Sequence, residues 1–141
     1  MFEYPAKFEY YTDDGNYYVV EFPDLPGCIT QGESIDECLQ NAKEALSGYL
    51  ESVFERNIKI PKPSDIKGDN IYYIRPEKNV VFALELREQR LKKGLSQQEI
   101  ANKLKIKYQT YQRFENPAKS NPTLKTISKI EMVLGENLIA I

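Results

Sequence analysis

Aromatic and β-branched residues crowd Tyr4 to Tyr11 and again Tyr17 to Phe22, on either side of the polar run Asp13, Asp14, Gly15 and Asn16. Residues of the first kind suit a pleated, half-buried surface, and Asp, Gly and Asn suit a tight reversal, so the pattern predicts a β-hairpin. Pro23, Asp24, Leu25, Pro26 and Gly27 follow. Two prolines without amide donors must interrupt the ladder, which resumes as a third strand over Cys28 to Gln31. From Ser34 the period changes. Ser34 and Glu37 have the capping-box spacing, and Ile35, Cys38, Leu39, Ala42, Leu46, Tyr49, Leu50, Val53 and Phe54 recur at steps of three and four. They predict a helix of about 22 residues with one apolar face, long enough to cover the sheet. Asn57 to Asp69, with Pro61, Pro63, Gly68 and no period, reads as a connecting loop. Ile71 to Ile74 then makes a fourth strand, closed by Pro76.

After residue 78 only the helical period remains. Val80, Val81, Leu84, Leu91 and Leu95 mark a helix that carries Arg87, Arg90, Lys92 and Lys93 and stops at Gly94. Ser96 and Glu99 repeat the capping-box spacing ahead of an inner stripe of Ile100, Ala101 and Leu104. A short turn, Lys105 to Lys107, leads into Tyr108 to Glu115; Asn116 to Pro122 is a loop; Thr123 caps a helix whose Leu124, Ile127, Ile130 and Leu134 should face inward until Gly135 ends it. The expected architecture is an α+β domain over residues 1–76, in the order β-β-β-α-β, followed by an all-α domain over residues 79–141. Leu138 to Ile141 are too few for a helix and allow a short C-terminal strand, paired with its copy in a dimer or packed on its own domain.

Composition narrows the chemistry. With 41% hydrophobic and 28% charged residues, the chain has enough to bury and is not of the disordered class. No apolar run approaches the roughly 20 residues of a membrane span, and Met1 to Pro5 lack the basic flank and apolar stretch of a secretion signal, so a cytoplasmic protein is expected. There is no histidine. That removes Ser/His/Asp and Cys/His nucleophile activation and every His-containing metal site, leaving carboxylates, Lys, Tyr and Cys as possible catalysts. Cys28 and Cys38 fit no zinc spacing and are expected to be buried small hydrophobes. No cofactor and no metal are expected. Charge divides sharply: through Lys78 the chain has 8 Lys and Arg against 15 Asp and Glu, and after it 11 against 6, so an acidic half of −7 precedes a basic half of +5. The basic half is the one suited to neutralising phosphates.

Leu95 to Glu115, LSQQEIANKLKIKYQTYQRFE, resembles the helix-turn-helix of the phage-repressor and Cro class. With the leading helix and the Asn-Pro-Thr-Leu segment at 121–124, the resemblance extends from Val81 to Gly135. In that class the second helix of the motif enters the major groove. The resemblance implies a phosphate contact for Gln97 at the start of the first motif helix, and a DNA-facing side made of Lys107, Tyr108, Gln109, Thr110, Gln112 and Arg113. Chemistry agrees, because Gln can engage adenine and Arg guanine through paired hydrogen bonds. Ile106, Tyr111 and Phe114 fall on the inner side, and Glu115 is expected to brace the bundle, since facing phosphate it would be repelled. Lys105 stands at a turn position often occupied by Gly in this class; a left-handed backbone there would cost on the order of 1 kcal/mol.

The acidic half resembles the HicB antitoxin family, through Tyr4-Pro5-Ala6, the run FPDLPGCITQGES from Phe22 to Ser34, Asn41 to Leu46, and Ile60-Pro61 with Pro63. The resemblance implies a partial RNase H-like fold and a partner, the HicA toxin, a small basic ribonuclease that HicB binds and blocks. An RNase H site would need carboxylates converging on two metal ions. Glu9, Asp13, Asp14, Glu21 and Asp24 are available, but turn and solvent-facing strand positions account for them, so no catalytic residue is expected. An acidic surface would speed docking onto a basic nuclease, and aromatic hot spots are expected among Tyr10, Tyr11, Tyr17, Phe22 and Tyr49, with Asp24 beside them. The resulting expectation is a cytoplasmic antitoxin that occludes a HicA-type toxin and represses its own operon as a homodimer or higher homo-oligomer on an inverted-repeat operator. The alternative is a stand-alone repressor whose first domain senses a ligand.

Overall fold

The computed structural model describes residues 2–138 and divides into two compact units, Met1–Glu77 and Lys78–Ile141. The part of the expected C-terminal strand beyond Leu138 lies outside the described residues.

The first unit has strands β1 (Tyr4–Tyr11), β2 (Tyr17–Glu21) and β3 (Ile29–Gly32), helix α1 (Ile35–Glu55) and strand β4 (Ile71–Ile74). The sheet order is β3-β2-β1-β4, antiparallel throughout. Phe8 lies opposite Val20, and Tyr4 opposite Ile74. Side chains alternate along a strand, so this register gathers Tyr4, Ala6, Phe8, Val20 and Ile74 on one face. All five are buried, as are Cys38, Ala42, Leu46, Leu50 and Val53 of α1, which packs on the sheet. The expected order and the apolar face of the helix are both present. The Ser34 hydroxyl accepts from the Glu37 amide at 3.1 Å and caps α1, but the Glu37 carboxylate reaches back to the amide of Glu33 rather than to that of Ser34.

Close approach of β3 to α1 depends on Gly32. A Cβ built there would lie 2.9 Å from Cys38 Sγ and 3.1 Å from the Cys38 amide nitrogen, leaving no room for a side chain. The segment between β2 and β3 folds as two successive turns: the Leu25 amide donates to the Phe22 carbonyl at 3.0 Å, and the Cys28 amide to the Leu25 carbonyl at 3.0 Å. Pro26 fixes the first corner of the second turn, and Gly27, at φ +88°, supplies the left-handed corner that follows it. The 57–70 connection has no period because side chains, rather than a ladder, hold it. The Tyr4 hydroxyl donates to the Pro61 carbonyl at 2.6 Å, Asp24 Oδ2 accepts from the Ser64 amide at 2.8 Å and hydroxyl at 3.0 Å, and the Tyr73 hydroxyl donates to the Ile66 carbonyl at 2.6 Å.

The second unit consists, among the described residues, of α2 (Lys78–Lys92), α3 (Gln97–Leu104), α4 (Tyr108–Phe114) and α5 (Leu124–Leu134). Phe82, Leu86, Ile100, Ala101, Tyr111, Ile127, Ile130, Leu134 and Leu138 form its core, with Ile106 and Phe114 partly buried against it. Leu124, expected to face inward, is 69% exposed, and Leu91, one of the apolar positions that mark α2, is 54% exposed. On α2 the steps of four from Phe82 through Leu86 end at buried Arg90, and Leu91 lies about 100° further round the helix. Leu124 is the first helical residue behind its Thr123 cap, beyond the reach of the core.

Gly32→Ala should destabilise the first unit by about 1–3 kcal/mol in urea unfolding, because helix and sheet must part to admit the methyl group; an unchanged midpoint would contradict the packing. Burial pushes the Cys28 thiol up to about 11 and raises that of Cys38, with Glu37 adding to the latter. Both thiols should therefore resist a disulfide reagent at pH 8 in the native state and react together once the chain is unfolded.

Candidate nucleic-acid interface

Local rules set the geometry of α3 and α4. Ser96 and Glu99 close a full capping box: the Ser96 hydroxyl accepts from the Glu99 amide at 3.0 Å, and the Glu99 carboxylate accepts from the Ser96 amide at 3.1 Å. Hydrogen bonding to the Ser96 backbone amide, and next to the Ser96 side chain, holds the Glu99 carboxyl below the usual carboxylate range. At the other end Lys105 takes φ 59° and ψ 43°, the left-handed turn for which Gly is usual, and α4 begins two residues later behind Lys107. The strain foreseen for a lysine at this turn is therefore present.

Beneath α4 lies one carboxylate. Glu115, 1% exposed, collects four donors: Arg90 Nε at 2.6 Å and the Tyr111 hydroxyl on Oε2, and Arg90 Nη2 at 3.0 Å and Gln97 Nε2 at 3.1 Å on Oε1. Arg90 Nη1 donates in addition to the Leu95 carbonyl at 2.9 Å. The hydrogen-bonded carboxylate raises the pKa of Arg90, and burial, with the Glu115 charge adding, raises that of the Tyr111 phenol. Helix α2, the start of α3 and the end of α4 thus meet at a fully hydrogen-bonded ion pair, the arrangement in which a buried charge is tolerated. Glu115 braces the bundle as the sequence suggested.

The six expected reading-helix residues and Gln97 fall into two groups. Lys107, Gln109, Thr110 and Arg113 are exposed, and among the described residues their side chains make no hydrogen bond to the protein. The other three are linked: Tyr108 donates its hydroxyl hydrogen to Gln97 Oε1 at 3.3 Å, and Gln112 Nε2 donates to the Tyr108 oxygen at 3.0 Å. Gln97 is therefore half-buried and already held at both ends of its amide, a link that residue spacing alone did not disclose. Arg90 also escaped the sequence reading, which named it with Arg87, Lys92 and Lys93 and gave it no role of its own. The available signal was its place four residues after Leu86, on the inner edge of α2.

In the first unit, Tyr10, Tyr11 and Tyr17 lie at the turn end of the β1–β2 hairpin, Tyr10 on one face of the sheet and Tyr11 and Tyr17 on the other. The rings of Tyr10 and Tyr18 lie 4.7 Å apart, and those of Tyr11 and Tyr17 lie 5.7 Å apart and stacked. Tyr10 is 52% exposed. Tyr11 donates to Glu9 Oε2 at 2.9 Å, and Glu9 pairs with Lys7 at 3.0 Å. Phe22 and Asp24 are not part of this group: Phe22 is buried in the core, and Asp24 is occupied by Ser64. Tyr49 is half-buried and donates to the Pro26 carbonyl at 3.1 Å. Among the described residues no group of three or more His, Cys, Asp or Glu is placed to hold a metal ion, and no helix is long and apolar enough to cross a membrane.

An α+β unit followed by a helical unit with a braced, outward-facing polar helix defines a two-part regulator with a helix-turn-helix DNA-binding module. Residues 4–84 match the family described as HicB_like antitoxin of bacterial toxin-antitoxin system, and residues 86–140 match the helix-turn-helix family. Antitoxin HicB 1 of Photorhabdus laumondii is 31% identical over 135 residues, 96% of this chain and 83% of that one. Antitoxin HicB of Escherichia coli K12 is 33% identical over 87 residues, 62% of each chain. A UPF0150 protein of Thermoplasma acidophilum is 52% identical over 50 residues, 36% of this chain and 72% of that one. The chain belongs to the HicB-like antitoxin family.

Arg90→Met should cost about 3–5 kcal/mol in urea unfolding, because it leaves the Glu115 carboxylate buried without its cation. A loss below about 1 kcal/mol would show that the ion pair does not hold α2 to the motif.

Proposed function

We propose that this antitoxin binds a HicA-type ribonuclease through its acidic unit, occluding the toxin's active site without covalent chemistry, and represses its own operon through α4. The observation that carries the DNA half is the division of α4: Tyr111 and Glu115 are pinned inward, while Lys107, Gln109, Thr110 and Arg113 are outward and uncommitted. Such side chains supply both kinds of contact a repressor needs. Lys107 suits phosphate, whereas Gln109 and Arg113 suit base edges. One short helix spans only a few base pairs, so two protomers on an inverted repeat provide the specificity. The residue of Gln97 left for DNA is its second amide hydrogen, a neutral donor for a phosphate oxygen.

The toxin half is supported by the names of the relatives and by charge. A unit carrying a net −7 through Lys78 attracts a cationic nuclease face and competes with RNA phosphates for it. Tyr10, Tyr11 and Tyr17 are the aromatic candidates at its surface, and the reaction expected of the unit is binding alone, in the cytoplasm.

Expression together with the adjacent reading frame tests the toxin half: the two products should copurify, and the complex should lose the RNA cleavage that the free toxin shows. For the DNA half, Arg113→Ala should cost about 1–3 kcal/mol and relax preference at one base pair. Lys107→Ala should weaken all sequences alike and reduce the slope of log K against log salt by about one. Equal binding of the unmodified chain to its own promoter and to random DNA would overturn the repressor reading.

A further inference from the structure

Hydrogen-bond polarity runs outward from Glu115 without a free choice at any step. A carboxylate only accepts, so the atom of Gln97 that faces Glu115 at 3.1 Å is its amide nitrogen. The Gln97 carbonyl oxygen is thereby the atom that meets Tyr108, and it too only accepts. Tyr108 has a single hydroxyl hydrogen, which goes to Gln97, and its oxygen must accept from the next partner, 3.0 Å away. That partner is the amide nitrogen of Gln112. Flipping the Gln112 amide would set two oxygens against each other, so its orientation is fixed by a buried charge three side chains away.

We propose that Tyr108 is a positioning residue that makes Gln112 an adenine reader. With one N–H held by Tyr108, the exposed Gln112 amide retains one N–H and its carbonyl oxygen. A donor beside an acceptor matches the N7 acceptor and N6 amine donor on the major-groove edge of adenine. Other Gln side chains of α4 have no such tether: Gln109 is exposed and makes no hydrogen bond among the described residues. Pre-orienting the amide removes the entropy of ordering it on DNA and penalises bases that would need it reversed. This inference rests on the reading of α4 as the DNA-contacting helix.

Selection of binding sites from a random duplex pool, with the full-length protein and its Tyr108→Phe variant, tests it. The unmodified protein should enrich an adenine at one position of each half-site that Tyr108→Phe does not enrich. Replacing that adenine by 7-deazaadenine, which lacks N7, should weaken the unmodified protein about tenfold and the variant hardly at all, a change of the size expected for one or two hydrogen bonds. The salt slope should be equal in the two proteins, because no charged contact is lost. Gln112→Met, altered only at the surface, should lose the same adenine, and does so even where Tyr108→Phe lowers the melting temperature. An adenine preference and 7-deaza sensitivity retained by either variant would overturn the role of Tyr108 while leaving the repressor reading standing. An unmodified protein that enriches no sequence would overturn both.

Discussion

One carboxylate organises the DNA-binding unit. Glu115 is buried yet saturated, with Arg90 on both of its oxygens and Tyr111 and Gln97 on one each. Because those donors come from α2, the start of α3 and α4 itself, the relative positions of three helices are fixed by groups whose separation would strand a charge in the core. Apolar packing of Phe82, Leu86, Ile100 and Ile130 supplies bulk stability, but such contacts are non-directional. The ion pair adds direction, and direction is what a short reading helix needs if its side chains are to reach base edges in register.

The first unit solves a different problem. A four-stranded sheet covered by a single helix leaves its second face and a long connection to be stabilised by other means. Asp24, Tyr4 and Tyr73 tie down the 57–70 segment through side-chain hydrogen bonds to its backbone, and Gly32 lets α1 approach β3 closely enough to seal the core. Of the carboxylates weighed for metal chemistry, Glu9 is engaged by Lys7 and Tyr11, and Asp24 by Ser64. The unit also carries a net acidic charge and tyrosines at the turn end of its hairpin.

Periodicity was enough to read the strands, the helices and their order, because each element has one buried face and the alternation of apolar residues records it. Positions that lie on a helix edge were not legible: Leu91 and Leu124 continue the apolar rhythm yet face solvent, and Arg90 interrupts it yet is buried. A hydrophobicity pattern registers only the transfer of apolar surface and is silent on a charge that brings its own counter-ion. The outward residues of α4 were legible from motif spacing, whereas the Gln97–Tyr108–Gln112 chain was not, since it depends on which atoms come within 3.3 Å across two helices. Likewise Phe22 and Asp24 have the composition of a contact surface and the environment of a core and a turn.

Assignment of two partners to two units predicts where each would leave its mark on the whole chain. Backbone hydrogen exchange of the full-length protein, followed by mass spectrometry with promoter DNA and separately with a catalytically inactive toxin, reads this directly. DNA should slow exchange over the segment from Ser96 to Arg113 and leave β1 and β2 unchanged, and the toxin should do the reverse. Protection of the tyrosine hairpin by DNA, or of α4 by the toxin, would contradict the division of labour on which the functional reading stands.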